Sequence, residues 1–259
     1  MDITTTINVP SDAAYFEGHF PGNPILAGVA EVALALEALA EARAAELTLQ
    51  GITYMRFRQV ILPGDRLELV AKKGDSGQLR VDLKRNGRLV ANGEWTLAAL
   101  ATGSDEEAAA IEEGSLLSEI PSLDKLLPHR PPMRFLQSII SVEQEALVAL
   151  AAIPADCPLV ADGTVAAVVG LEAAAQAAAA WGALQRSRDG GETAPRVGYL
   201  VALREVSFFT DRIPVEQMLR VVVRLDASAP PLSHYRVALY ADRKLLAQGM
   251  IATFLNEGE

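Results

Sequence analysis

The sequence predicts an α+β protein built on one plan used twice: a long apolar helix wrapped by an antiparallel sheet. Three observations predict it. Residues 27–47 and 164–186 are long, alanine-rich runs that are apolar on nearly every side, and such a helix has to be surrounded rather than laid on a surface. Each run is followed by short alternating segments, at 52–57, 66–72, 78–85 and 88–98 and again at 198–209, 218–225, 234–240 and 244–254. That is the period of strands with one buried face. Between the halves, Ala101 to Ile120 holds six acidic residues and no basic one, the composition of a solvated connection.

The elements follow in order. A polar strand at 4–9 leads into a glycine- and proline-rich turn around His19, and the first helix opens near Ala27 and Gly28. Asn86-Gly87 separates two alternating segments and marks a tight hairpin. In the second half an alternating stretch at 136–152 precedes a loop and the second helix. The expected division is a first domain at 1–100, an acidic linker at 101–116 and a second domain at 117–259. Two such units bury their exposed strand edges by joining sheet to sheet, so the chain is read as an intramolecular pseudo-dimer.

Composition narrows the function. The formal net charge is −10, which argues against nucleic acid, since phosphate binding needs a basic surface. Cys157 is the one cysteine, so no internal disulfide can form and a reducing compartment fits. Residues 1–10 lack the apolar segment of a secretory signal. Residues 164–184 are long enough to consider for a bilayer, but Glu172 near the middle would cost roughly 2.5–3.5 kcal/mol there. A buried core helix, no membrane and a cytoplasmic location are expected.

The most informative segment is Gly18-His19-Phe20-Pro21-Gly22-Asn23-Pro24-Ile25-Leu26, followed by Ala27-Gly28-Val29. It places an imidazole nine positions before a glycine that opens a helix. A helix N-terminus offers unpaired N–H groups and a positive dipole end. Together these can pull a proton from beside a carbonyl and hold the charge that develops.

This segment resembles the active-site turn of the 3-hydroxyacyl-(acyl-carrier-protein) dehydratases of the hotdog fold. Arg56-Phe57-Arg58-Gln59-Val60-Ile61-Leu62-Pro63-Gly64-Asp65-Arg66-Leu67 resembles the strand pair that follows the family's helix. In the second half, Leu126-Leu127-Pro128-His129-Arg130-Pro131-Pro132-Met133 is similar to its opening segment. Leu171-Glu172-Ala173-Ala174-Ala175-Gln176 is similar to the helix that carries its acid. The second half also looks like the hotdog proteins of aryl-polyene pathways. The resemblance implies a double hotdog that dehydrates 3-hydroxyacyl thioesters delivered on the phosphopantetheine arm of an acyl-carrier protein, in fatty-acid or aryl-polyene type biosynthesis.

The halves depart from the family in complementary ways. The family's acid lies fourteen positions after the histidine, and here that position is Ala33. Glu31 is two residues earlier, about 200° round the helix, and is expected to point elsewhere. Fourteen positions before Glu172 stands Pro158, and residues 154–165 contain no histidine. Family dimers build each site from one histidine and the partner protomer's acid. The expectation is therefore one composite site in which His19 and Glu172 meet across the pseudo-twofold, with the opposite site, at Ala33 and the Cys157–Pro158 loop, decayed.

In that site His19 would take the C2 proton. Glu172 would protonate the departing hydroxyl or orient a water that does so, its carboxyl raised by burial, and the N–H of Gly28 or its neighbour would bind the thioester oxygen. Phe20, Pro21, Val29 and Gln176 are implied to line or support the substrate's path, with the acyl chain in a tunnel between the helices. His129 reads as a fold-defining residue, His234 as an ordinary strand residue and Cys157 as an ordinary free thiol. Residues 51–100 carry nine basic against five acidic residues, a local excess suited to an acidic carrier. No metal-ligand spacing, phosphate-cradling glycine loop or dinucleotide fingerprint appears, so no cofactor is expected. A thioesterase on the same fold and a non-catalytic partner of another dehydratase are the alternatives; further association of whole chains is left open.

Overall fold

The computed structural model describes residues 2–74, 77–98, 120–188, 190 and 195–256; the expected linker at 101–116 lies outside them. The first half contributes β1 (Ile3–Asn8), α1 (Gly28–Arg43), β2 (Leu49–Phe57), β3 (Arg66–Lys73), β4 (Leu79–Arg85) and β5 (Arg88–Leu97). The second contributes a short α2 (Leu123–Leu126), β6 (Leu136–Val142), β7 (Ala146–Ala151), β8 (Thr164–Ala166), α3 (Leu171–Arg188) and β9 (Gly198–Phe208). It ends with β10 (Arg212–Pro214), β11 (Leu219–Ala229), β12 (Leu232–Ala241) and β13 (Lys244–Leu255).

Eleven strands form one antiparallel sheet in the order β1-β3-β4-β5-β2-β9-β13-β12-β11-β7-β6. The first five belong to the first half and the last six to the second. The seam is β2 against β9, with Met55 opposite Leu203 and Ile52 opposite Val206. Neither inner edge is left open, which removes the aggregation-prone surface each half would present alone.

Strand alternation does what it promises. In β3, Leu67, Leu69 and Ala71 are buried while their neighbours face outward. Asn86 and Gly87 both take positive φ (52° and 74°) and turn β4 into β5, as a primed hairpin requires. The helices fill the two concavities. In α3, Glu172 and Gln176 are buried along with Ala173, Ala174, Ala177, Ala178 and Ala180. Small side chains let the sheet close on it from several directions. The apolar stretch Ala167–Arg188 is long enough to cross a membrane, but 83% of its hydrophobic window is buried in this core.

The observed elements differ from the expected ones in three places. Helix α1 stops at Arg43 rather than 47, because Ala44 turns left-handed (φ 48°) and Ala44 and Ala45 donate back to Glu41 and Ala40. Residues 136–152 are a hairpin, β6 and β7, turned where Glu143 N–H bonds Ala146 O at 2.8 Å. The second helix begins at Leu171 rather than 164, since Thr164, Val165 and Ala166 pair with β10 instead. β-branched Thr and Val favour that strand over a first helical turn.

Candidate active site

His19 sits on a turn clamped from several sides. Its N–H bonds Phe16 O at 3.1 Å, its carbonyl accepts from Ile25 N–H at 3.3 Å, and Leu26 N–H bonds Ile61 O at 2.9 Å. The imidazole Nδ1 lies 3.1 Å from Ile25 O. A carbonyl can only accept, so Nδ1 carries the proton and Nε2 keeps its lone pair. Phe20 stacks on the ring at 4.3 Å between centroids. Burial is the main cause of a lowered His19 pKa, opposed by the Glu172 charge and reinforced by His129. His19 is therefore neutral at pH 7 with a free Nε2, the form of a base.

The turn is fastened to the other half of the chain. Gly18 adopts φ +84°, and a Cβ there would lie 2.0 Å from Arg130 O. Arg130 N–H in turn bonds Gly18 O at 3.1 Å. Glycine is required twice over, by conformation and by space. The Arg130 guanidinium folds back on the Leu127 and His129 carbonyls at 2.8 Å. His129 is thereby pressed edge-on to Phe20, with centroids 4.7 Å apart.

Glu172 completes the cluster from the first turn of α3. One ligand-capable atom from each of His19, His129 and Glu172 lies within 4.8 Å of the other two, and all three residues are buried. His129 Nε2 is 3.2 Å from Glu172 Oε1. Gln176, one turn on, donates to Glu172 Oε1 at 3.2 Å and to Met133 O at 2.7 Å, while its Oε1 accepts from Phe135 and Leu136 N–H. It ties the carboxylate to the loop that carries His129. The expected upward shift of Glu172 is not found. Burial does push it up, but the His129 hydrogen bond, the His19 and His129 charges and Gln176 outweigh that and hold it at about 2.

Two chambers meet at this cluster. The larger, about 390 Å³, is lined by His19, His129 and Glu172 and runs along α3 past Ala175, Ala178 and Ala179. It lies between α3 and the β11–β13 face, not between the two helices as expected. The smaller, about 170 Å³, is lined by His19, Gly28, Glu31, Phe57, Arg58 and Leu200. Gly28 opens α1 beside it; Ala30 and Glu31 N–H close on Ala27 O, while the Gly28 and Val29 N–H groups precede the first helical bond and no side chain caps them. Even a methyl at Gly28 would come within 3.2 Å of the Phe57 ring.

The other expected residues fall outside the chambers. Pro21 is exposed, and fully buried Val29 lines neither. Cys157 is buried with its thiol raised to about 11, chiefly by burial, and touches Met133 Sδ at 3.8 Å. A cavity of about 280 Å³ lies around Ala33, Glu37, Ala167 and Arg212, and its described lining residues include neither a histidine nor Cys157 and Pro158. Spacing along the chain missed two residues. His129 lies inside the cluster, and Glu31, though it does turn away from Ala33's face, turns into the smaller chamber. A basic motif next to an opening proline segment hinted at His129 only through family resemblance; a lone carboxyl among apolar helix positions was the signal for Glu31.

By distance alone His19, His129 and Glu172 offer three donors to a divalent ion. His129 Nε2, however, is already engaged with Glu172 Oε1 at 3.2 Å. The same groups in hydrogen-bonded order are suited to holding and moving a proton.

Two helix-wrapping sheets fused edge to edge make this a double-hotdog protein, and its relatives are dehydratases. Residues 121–258 match the ApeP-like dehydratase family and residues 1–94 the ApeI-like dehydratases. The chain belongs to the ApeP-like dehydratase family, with an ApeI-like half fused ahead of it. The 3-hydroxyacyl-[acyl-carrier-protein] dehydratase FabZ of Myxococcus xanthus is 38% identical over 130 residues, which covers 44% of this chain and 80% of that protein. The dehydratase domain of the polyketide PpsC from Mycobacterium tuberculosis superposes with a TM-score of 0.71 at 17% identity, covering 99% of this chain and 94% of that one. A trans-AT polyketide synthase dehydratase domain from Brevibacillus brevis gives 0.71 at 12%, covering 99% and 94%. The likeness to these two structures carries the fold, with both hotdogs in one chain.

Proposed function

We propose that this dehydratase removes water from 3-hydroxyacyl thioesters on an acyl-carrier protein, giving trans-2-enoyl thioesters, at one composite site built by both halves. The observation that carries this is the meeting of His19 from the first half with Glu172 and His129 from the second. His19 Nε2 takes the C2 proton while the thioester oxygen rests at the open N–H groups of Gly28 and its neighbour. The C3–O bond breaks, and the leaving hydroxide takes the proton shared between His129 Nε2 and Glu172 Oε1, departing as water. The proton gained by His19 then returns to that pair across less than 5 Å. Because Glu172 is held low, it serves through this shared proton and not as an isolated, raised acid.

The carrier is read to dock over the smaller chamber. Arg58 and Val60 (45% exposed) line its mouth, and exposed Arg56 and Leu62 (44%) lie next to them along the chain, a basic and apolar surface that complements an acidic amphipathic partner. The test is turnover of 3-hydroxybutyryl-carrier protein. His19→Ala and Glu172→Gln should each lower kcat by roughly 10²–10⁴-fold. The double variant should lose little more, since the pair acts as a unit. Full dehydration by Glu172→Gln would rule out the composite site.

A further inference from the structure

Resting on that reading, the two chambers can be assigned to the two arms of the substrate. Gly28 lines only the smaller chamber and Glu172 only the larger, while His19, Gly198 and Leu200 belong to both. A substrate poised for the reaction has its carbonyl at Gly28 and its C3 hydroxyl at Glu172. The sulfur side must then leave through the smaller chamber, and everything beyond C3 enters the larger one.

The far end of the larger chamber is unlike the end of an alkyl tunnel. Its walls include Arg186, Arg196, Ser228, Ser233 and Tyr235. Among the described lining residues the only carboxylate is Glu172, at the opposite end. Arg186 Nε is buried without a hydrogen-bond partner. Burial and the neighbouring Arg196 both depress Arg186, and only Tyr235 opposes them. The guanidinium folds back over Gly182, where a Cβ would stand 3.5 Å from Nη1. A methyl-ended chain arriving there would strip water from two cations and return nothing. A carboxylate arriving there would be met by two guanidinium groups in the chamber wall and would return the charge-assisted contacts that an alkyl end cannot.

We propose that Arg186 and Arg196 form a terminal subsite that selects acyl chains whose far end carries an oxygen acceptor, above all a carboxylate, over chains that end in an alkyl group. Ten residues of α3 separate Glu172 from Gly182, about 15 Å of helix. From C3 onward, an extended chain of about twelve carbons covers about 11 Å of that distance, and a hydrogen bond of about 3 Å to a guanidinium covers the rest.

The experiment compares 3-hydroxydodecanoyl- and ω-carboxy-3-hydroxydodecanoyl-carrier protein, with 3-hydroxybutyryl-carrier protein as the short control. The intact chain should show a kcat/KM ratio of roughly tenfold or more in favour of the carboxylate end, the size of one charge-assisted hydrogen bond. Arg186→Met and Arg196→Met should each bring that ratio towards one. An intact chain that turns over the short control but prefers the alkyl end overturns the subsite while sparing the dehydratase reading. Failure on all three substrates overturns the dehydratase reading itself. The pairs are repeated as carrier-free pantetheine thioesters. If the arginine variants affect only carrier-bound substrates, and affect both chain ends equally, the arginines hold the carrier and the subsite is refuted.

Discussion

His19 and Glu172 set each other's protonation. The carboxylate charge is what lifts the His19 pKa against the burial that lowers it. Removing that charge takes away the largest opposition to burial and leaves the backbone contacts with Ile25 and His19, so Glu172→Gln should move the His19 titration further below 6.5. Proton NMR of the imidazole across pH 4–8 in the two proteins measures this directly; an unchanged or raised midpoint would contradict the pairing. Glu31 is the opposite case. Only 4% exposed and with Oε2 unpartnered, it is raised well above the ordinary carboxyl value by burial alone. A group that holds its proton more tightly when folded favours the folded state at low pH. Its contribution is lost as pH rises from the unfolded value of about 4.5. Glu31→Gln has no ionisation to suppress, so its Tm should draw ahead of the parent's between pH 5 and 8. A gap that stays constant across that range would mean Glu31 is not held neutral.

At the scale of elements, the reaction chamber depends on the contact between the His19 turn and the loop of residues 127–133. A side chain at Gly18 meets Arg130 O at 2.0 Å and must also hold φ at +84°. Left-handed strain of about 1–2 kcal/mol adds to overpacking of about 1–3 kcal/mol. Gly18→Ala should therefore cost about 3 kcal/mol in urea unfolding and reduce turnover beyond what stability explains, because relief of the clash moves His19 from Glu172. Gly22→Ala is the control, since φ is also positive (+78°) but nothing stands within 4 Å. Most of this level was legible in the sequence. The two apolar runs became the central helices, and Asn86-Gly87 became the turn it announces. The glycine-histidine segment brings His19 to the cluster with Glu172. The entry of His129 into the cluster was not legible, because 110 positions separate it from His19 and no periodicity encodes a contact between halves. The low Glu172 pKa was missed for the same reason: burial could be read from an apolar helix, but the histidine facing it could not.

Over the whole molecule, the seam between β2 and β9 joins the two halves into one sheet, and the proposed reaction needs both of them. Gly51 stands at that seam, where a Cβ would lie 2.8 Å from Val206 O. The strands approach too closely there for an ordinary side chain. In the proposed reaction the first half supplies the base and the oxyanion donors of α1, and the second supplies the shared proton and the larger chamber. Either unit alone would expose the strand it now pairs across the seam and leave its own part of the chemistry unanswered. With the halves taken as 1–100 and 117–259, each expressed separately should show no dehydration of 3-hydroxybutyryl-carrier protein. Co-expressed from separate genes, they should co-purify through a tag on either one and recover turnover, since the seam and not the connection brings His19 to Glu172. The linker would then act by raising the effective concentration of one half for the other. Recovered activity should accordingly fall on dilution, whereas the intact chain's should not. Dehydration by the second half alone would show that His129 suffices as the base and that the first half is a scaffold; dehydration by the first half alone would show that Glu172 is dispensable.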